Sequence, residues 1–232
     1  MRCLNLRVVL KIGGHLFSRE NDLIDFNYLA KISKILRICI KEVSKLLVVV
    51  GGGYVARKYI ELGRSLGLTE SILDLLGIEV ARVNAALIYS LTTNSPSPPI
   101  PRSLEEAIEK ALSTNFLTIG GYQPGQSTTT VAALTAEALP ADLLLLTTNV
   151  EGIYDSDPKV NPRAKLMREV SVERLEKMFL KEIMAGEYRL LDPLSVKIIK
   201  RSKINTLVFS GVDPDNILRA IRGERVGTRI LV

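Results

Sequence analysis

Residues 46–57 read Leu46-Leu47-Val48-Val49-Val50-Gly51-Gly52-Gly53-Tyr54-Val55-Ala56-Arg57. The apolar, β-branched run Lys45–Val50 reads as a buried strand. Three glycines stop it, and the mixed spacing that follows predicts a helix over Tyr54–Leu66. The same order recurs on both sides of this stretch. Upstream, Leu6–Ile12 is a short apolar run that ends in Gly13-Gly14, and Asp25–Val43 carries apolar residues at helical spacing. Downstream, Ser71–Leu91 reads as a long helix. Phe116–Ile119 runs as a strand into Gly120-Gly121, and Ser127–Leu139 is an alanine-rich helix with a hydroxyl cap. Ala141–Thr147 is a continuous apolar strand. Helices are expected near Ser171–Met178, Pro193–Arg201 and Pro214–Ile221, with strands at Thr206–Phe209 and Arg229–Val232. Strands alternating with helices predict a mostly parallel α/β sheet covered on both faces.

Composition narrows the function classes. The chain has 232 residues, 47% hydrophobic and 24% charged, which excludes a disordered or fibrous protein. No apolar run approaches the roughly 20 residues that span a bilayer, and the N-terminus lacks a signal-peptide layout. Cys3 and Cys39 cannot build a disulfide framework and fit a reducing, cytoplasmic setting. The net charge of +6 suits small anions or nucleic acid. With 5% aromatics and no Trp, platforms for stacking bases are scarce, so no nucleic-acid or membrane partner is expected. The tract Pro96-Ser97-Pro98-Pro99-Ile100-Pro101 reads as a stiff connector. A division near residue 140 has no linker to mark it.

Four loops carry the chemistry, each directly after a strand. Lys11-Ile12-Gly13-Gly14 joins a point charge to backbone that can approach a phosphate closely; a solvated strand end is the plain alternative. Gly51-Gly52-Gly53 opens a helix whose N-terminal dipole attracts anions, and Arg57 lies one turn in. A tight turn with an exposed arginine would look the same. This loop matches neither Gly-x-Gly-x-x-Gly nor Gly-x4-Gly-Lys-Ser/Thr. Gly120–Thr129 is a long Gly/Pro loop entering a helix that opens with hydroxyls. Thr147–Pro158 presents Thr148, Asn149, Tyr154 and acidic groups, and the turn-rich stretch Val150–Pro162 could hold a hairpin. In a parallel sheet the C-terminal strand ends share one edge, where ligands bind. Several phosphate-suited loops on that edge suggest two phosphorylated ligands end to end, hence phosphoryl transfer.

Taken in order along nearly the whole chain, these residues resemble the amino acid kinase family, and within it the archaeal type of uridylate kinase. The resemblance rests on Lys11-Ile12-Gly13-Gly14, on Val50-Gly51-Gly52-Gly53 with Ala56-Arg57-Lys58-Tyr59, and on Gly77-Ile78 with Asn84-Ala85. It continues through Gly121 with Pro124-Gly125, Ala132-Ala133-Leu134 with Ala136-Glu137, and Thr148-Asn149-Val150 with Gly152, Tyr154 and Asp157-Pro158. It ends in Asp192-Pro193-Leu194 with Lys197-Ile198-Ile199. It implies a three-layer αβα sandwich over residues 1–232, with a UMP-side lobe of roughly 1–140 and an ATP-side lobe of roughly 141–232. It implies transfer of the γ-phosphoryl of ATP to UMP, Mg2+ held on the ATP phosphates with no protein metal ligands, and a homohexamer. By position, Lys11 and Arg57 are the implied catalytic residues. Gly14, His15, Gly53, Arg57, Thr148, Asn149, Tyr154 and Asp157 are implied for ATP. Gly52, Asp74, Tyr122, Gln123, Pro124, Gly125, Gln126, Ser127 and Thr128 are implied for UMP.

Two positions depart from the family pattern. His15 stands where relatives commonly carry serine, and its ring N–H can still donate to a phosphate. Thr129 stands where they usually carry aspartate, in a Thr-Thr-Asp triplet; here the triplet is Ser127-Thr128-Thr129. The family's aspartate is implied to orient the active-site lysine, and Asp155 or Asp157 are candidates to replace it. The alternatives are a catalytically weak nucleotide-binding protein on the same scaffold and a kinase of the family acting on another small acid.

Overall fold

Alternate residues of the inner strands face opposite sides of one sheet, and both sides are apolar. A strand buried on both faces must read as a continuous apolar run, which is why Leu46–Val50 and Leu143–Leu146 lack polar alternation. The computed structural model describes residues 4–158, 160–180 and 191–232. Its strands are β1 (Leu4–Ile12), β2 (Val43–Val50), β3 (Phe116–Ile119), β4 (Leu143–Thr148), β5 (Glu169–Ser171), β6 (Thr206–Ser210) and β7 (Thr228–Leu231). Its helices are α1 (Phe26–Glu42), α2 (Gly53–Ser65), α3 (Glu70–Thr93), α4 (Leu104–Ser113), α5 (Thr128–Ala138), α6 (Val172–Leu180), α7 (Pro193–Ser202) and α8 (Asp215–Ile221).

The seven strands form one sheet in the order β3-β2-β1-β4-β6-β7-β5. The pairs from β3 through β6 are parallel; β7 runs antiparallel to β6, and β5 is parallel to β7. Val8, Leu10, Ile12, Leu46, Val48 and Val50 face α1, α8 and part of α3. Val9, Leu47, Val49, Leu144 and Leu146 face the layer of α4, α5, α6 and α7. Burying each such Val or Leu stabilises the fold by about 1.5–3 kcal/mol, so the two faces together hold the sandwich. The three-layer αβα architecture expected from the sequence is the one observed. The sheet runs without a break through residue 140, because β1 pairs directly with β4.

Local signals set the helix ends. Asp25 caps α1 by accepting from the Tyr28 N–H, and Ser103 caps α4 by accepting from that of Glu106. Such a cap is worth about 1 kcal/mol. The proline tract joins α3 to α4 without regular structure, as a connector should. Cys39 is buried in α1, and burial pushes its thiol up to about 12, so it behaves as an apolar filler. Cys3 lies outside the described residues. No helix among the described residues is long and apolar enough to cross a membrane.

The strand order reverses at β1. The chain builds β2 and β3 on one side of it, then crosses to build β4 and β6 on the other. The crevice beyond the C-terminal ends of β1 and β4 is therefore the topological switch point, where open α/β sheets bind ligands.

Candidate active site

Lys11 is the penultimate residue of β1, in register with Val49 of β2 and Leu146 of β4. Strand alternation puts its side chain on the α5/α7 side, with Val9. Its backbone carbonyl accepts from Thr147 Oγ1 at 2.8 Å, which ties β1 to the end of β4. The side chain is half-buried, and burial pushes its ammonium down to about 8, while the carboxylate of Asp192 pulls the other way. Lys11 is thus still mostly protonated at neutral pH, at the edge of losing its charge.

Two glycine turns meet beside it. After Gly13 the chain tightens into a 3₁₀ turn over Gly14–Leu16, with the Ser18 N–H donating to the Gly14 carbonyl at 2.9 Å. The Gly51 N–H donates to the Ile12 carbonyl at 3.0 Å, which locks the second turn to the first. A Cβ added to Gly14 would lie 2.2 Å from the Gly53 nitrogen and 2.6 Å from the Gly51 oxygen. The turns touch backbone to backbone, and a single methyl would fill the space between them. Gly53 opens α2 at φ +70, a conformation open mainly to glycine. Asn84, buried on α3, donates to the carbonyls of Gly51 at 3.0 Å and Gly52 at 3.2 Å. With these oxygens occupied, the glycine turn is held rigidly at the start of α2. Arg57 stands exposed on α2, one turn from Gly53.

A cavity of about 160 Å³ opens next to this cradle, between α2, α3 and the loop before α5. Gly52, Asp74, Ile78, Gly121, Gln126 and Thr128 line it. Asp74 is half-buried and accepts from the Gly125 N–H at 2.8 Å through one carboxylate oxygen; its other oxygen has no hydrogen bond among the described residues. The Gln126 side-chain oxygen is buried without a partner among the described residues. Gln123, Pro124 and Gly125 form the exposed tip of the loop. Tyr122 behaves differently. Its hydroxyl pairs with Thr135 Oγ1 at 2.9 Å and its ring packs on the core, so it anchors the loop while its backbone continues it. Ser127 caps α5 by accepting from the Thr130 N–H at 3.0 Å.

On the other side, β4 ends at buried Thr148, whose carbonyl accepts from the Gly211 N–H at 2.8 Å, and Asn149 follows. A hairpin is present, but its second arm, residues 165–167, lies beyond the stretch Val150–Pro162 in which one was expected. Met167 donates to Ile153 at 2.8 Å and Asp155 to Lys165 at 3.1 Å, with Tyr154 bridged to Leu166. Asp157 sits at the tip, its carbonyl accepting from Val160 and Asn161. His15 is half-buried, and its ring folds back over Gly13. A larger cleft of about 1010 Å³ lies at the opposite sheet edge, around Asp142, Asn205 and Arg225, and includes none of the predicted site residues.

Three contributors are absent from the set read in the sequence. Asn84 fixes the glycine turn. Arg82, almost fully covered, donates to the Tyr122 carbonyl from under the loop. Asp192 caps α7 and also accepts from Ser127 Oγ at 2.6 Å and Thr130 Oγ1 at 2.8 Å. The Asp-Pro pair announces the cap; only the folded chain brings α5 to it.

The Lys11 ionisation has two consequences of opposite sign. If the charged lysine is the working form, kcat/KM falls as pH rises through about 8. Burial disfavours that charged form, so the strain on the empty fold fades between about 8 and the ordinary value of 10.5, and stability from this group rises there. Parallel pH profiles of kcat/KM and of Tm check this; an activity plateau beyond pH 9.5 would contradict it.

Known proteins resemble this chain in sequence and in fold. The model of the amino acid kinase family matches residues 6–210. A uridylate kinase of Thermofilum pendens is 49% identical over 221 residues, covering 94% of either chain. One from Sulfurisphaera tokodaii is 45% identical over 227 residues, covering 97% of this chain and 99% of its own. The crystal structure of uridylate kinase from Archaeoglobus fulgidus superposes with a TM-score of 0.85 at 35% identity, over 97% of this chain and all of that one. A match that takes in β1, both glycine turns and the strands through β6, with relatives this similar along almost their full length, means that the chain belongs to the amino acid kinase family.

Proposed function

We propose that this protein is a UMP kinase, transferring the γ-phosphoryl of ATP to UMP to give UDP and ADP. The observation that carries the reading is the double glycine cradle with Lys11 at the switch point, flanked on one side by the cavity at Asp74. On this reading two phosphorylated ligands would lie there end to end.

The acceptor oxygen needs no base. A phosphate monoester has a second pKa of about 6 and is mostly dianionic at neutral pH. What remains is alignment and charge neutralisation. Lys11 holds the transferring phosphoryl group and stabilises the charge that spreads over its oxygens. The Gly13-Gly14 and Gly51–Gly53 turns, with His15, cradle the neighbouring phosphates, and Arg57 can swing in from α2. Gly52, Asp74 and the loop 122–128 hold UMP. Thr148, Asn149, Tyr154 and Asp157 hold the adenosine end. The donor set fits ATP with Mg2+. The described residues hold no cluster of acidic, His or Cys side chains able to bind a metal ion. Mg2+, brought in with ATP, would be carried on phosphate oxygens and water, its usual mode, and would supply charge neutralisation there. On this reading residues 1–140 form the UMP side and 141–232 the ATP side.

Assembly as a homohexamer is part of the proposal. Tyr59, Leu62 and Leu66 on and just after α2, and Val83 on α3, leave large apolar side chains exposed, a pattern that marks protein contacts. We place the enzyme in the cytoplasm, in pyrimidine nucleotide synthesis.

The acceptor reading is tested with UMP against dUMP. The open oxygen of Asp74 can accept from a ribose hydroxyl. Its loss leaves a half-buried carboxylate short of a donor, a cost of about 1–3 kcal/mol. UMP is expected to exceed dUMP in kcat/KM by roughly tenfold to a hundredfold. Equal values, or a ratio unchanged in Asp74→Asn, would remove Asp74 from this role.

A further inference from the structure

The start of α2 carries several backbone donors, and most of them are already engaged. Ser18, fully buried after the 3₁₀ turn, takes two: its carbonyl accepts from the Tyr54 N–H at 3.3 Å, and its Oγ accepts from the Val55 N–H at 3.4 Å. The Gly51 N–H goes to the Ile12 carbonyl at 3.0 Å. Between them, the N–H groups of Gly52 and Gly53 have no acceptor among the described residues. Both glycines are half-buried and line the cavity at Asp74. Half-buried N–H groups without a partner are uncommon, and two in succession ask for a ligand oxygen.

Their direction is set from behind. Asn84 donates from Nδ2 to the Gly51 carbonyl at 3.0 Å and to the Gly52 carbonyl at 3.2 Å. Two carbonyls can face only the NH2 end of the amide, so both of its hydrogens are used, one on each of two successive peptides. A trans peptide points its C=O and its N–H to opposite sides, and both peptides are trans. With the two carbonyls turned to Asn84, the N–H groups of Gly52 and Gly53 are turned away from it. Three consecutive glycines do not hold such an arrangement by themselves, because each has wide φ/ψ freedom, and Gly53 already sits at φ +70. Asn84 is 5% exposed, so water does not compete for its amide. A leucine of similar size would fill the same space; the amide is needed only to hold the carbonyls.

We infer that Asn84 is the positioning residue of the phosphate cradle: by holding the Gly51 and Gly52 carbonyls it aims the Gly52 and Gly53 N–H groups at phosphate oxygen, while Ser18 keeps the next two N–H groups of α2 out of that set. Asn84 touches no substrate and acts through two peptides. The proposed kinase function enters only in naming the phosphates as those of UMP and ATP.

The direct test uses the parent protein labelled with 15N-glycine and inorganic pyrophosphate as the probe. The amide signals of Gly52 and Gly53 are expected to move downfield as pyrophosphate binds. Asn84→Leu then keeps the volume and removes both donors, and Asn84→Asp keeps the shape but sets a carboxylate against two carbonyl oxygens. In both, the Kd for pyrophosphate should rise by about tenfold to a hundredfold, and kcat/KM for UMP should fall by a similar factor. Tm should fall as well, since two carbonyls lose a buried donor. A residue that only stabilised the fold would lower Tm and leave the pyrophosphate Kd of the folded protein alone. Asn84→Ser, which leaves room for a water to donate in its place, should fall between the parent and Asn84→Leu. Glycine signals that do not move in the parent, or folded variants whose Kd and kcat/KM stay within threefold of it, would overturn the inference; with the parent active on UMP, the proposed function would stand. A parent that shows the shifts and loses them in the variants, but transfers nothing to UMP, would overturn the function and leave the role of Asn84 in place.

Discussion

Lys11→Ala is expected to lower kcat at least ~100-fold, a loss of about 2.7 kcal/mol of transition-state stabilisation, while UMP still binds. The distinction follows from where the charge sits. Lys11 emerges between β2 and β4 at the switch point, on the phosphoryl path, whereas Asp74 and the loop 122–128 lie to one side, against α2 and α3. Ground-state contacts to UMP survive the truncation. What disappears is an ammonium needed most when negative charge spreads over the transferring group. The fold should not suffer: a half-buried charge whose desolvation costs the native state is being removed, so Tm should hold or rise. Initial-rate kinetics with a separate UMP binding isotherm check this. Undiminished turnover would take Lys11 out of the mechanism.

Gly14→Ala should be the more damaging change, because it strikes both fold and site. The new Cβ would lie 2.2 Å from the Gly53 nitrogen and 2.6 Å from the Gly51 oxygen, against backbone that no rotamer can relieve. One turn must move away from the other. Overpacking of this kind costs about 3 kcal/mol or more when backbone must yield. In a chain of this length that is a fall in Tm on the order of 10 °C. A displacement of about 1 Å between phosphate-holding turns is enough for a hundredfold loss of rate. A Gly14→Ala protein with parental Tm and kcat would mean that the turns do not meet as described.

The fold was legible because the strands that build it are buried on both faces. Leu46–Val50 and Ala141–Thr147 can do little else with so many adjacent apolar residues, and the glycines after each strand mark the ligand edge. Two elements escaped. Ser103-Leu104-Glu105-Glu106 carries the Ser-x-x-Glu signature of a helix start, and α4 begins there; the prolines before it drew the reading towards a connector alone. The strand β5 has three residues, too few for any periodicity. The site divides in the same way. Residues next to a glycine turn, such as Lys11, Gly53 and Arg57, could be named from local order. Tyr122 could not be placed, since nothing local says that its ring turns to Thr135 on the helix beyond. Asp192 and Asn84 act at a distance of many residues. Their roles exist only once α7 meets α5 and α3 meets the second glycine turn. The reading of the chain as a catalytically weak binding protein rested on Thr129, which is buried on α5.

The central claim, phosphoryl transfer from ATP to UMP, is tested most directly by one coupled assay. ADP release is followed with ATP and Mg2+ over UMP, CMP, dTMP, acetylglutamate and isopentenyl phosphate as acceptors. The account predicts a kcat for UMP within the usual range for kinases, about 1–100 s⁻¹, with a kcat/KM well above that of every other acceptor. Preference for acetylglutamate or isopentenyl phosphate, or no ADP release above background with any of the five, would contradict it.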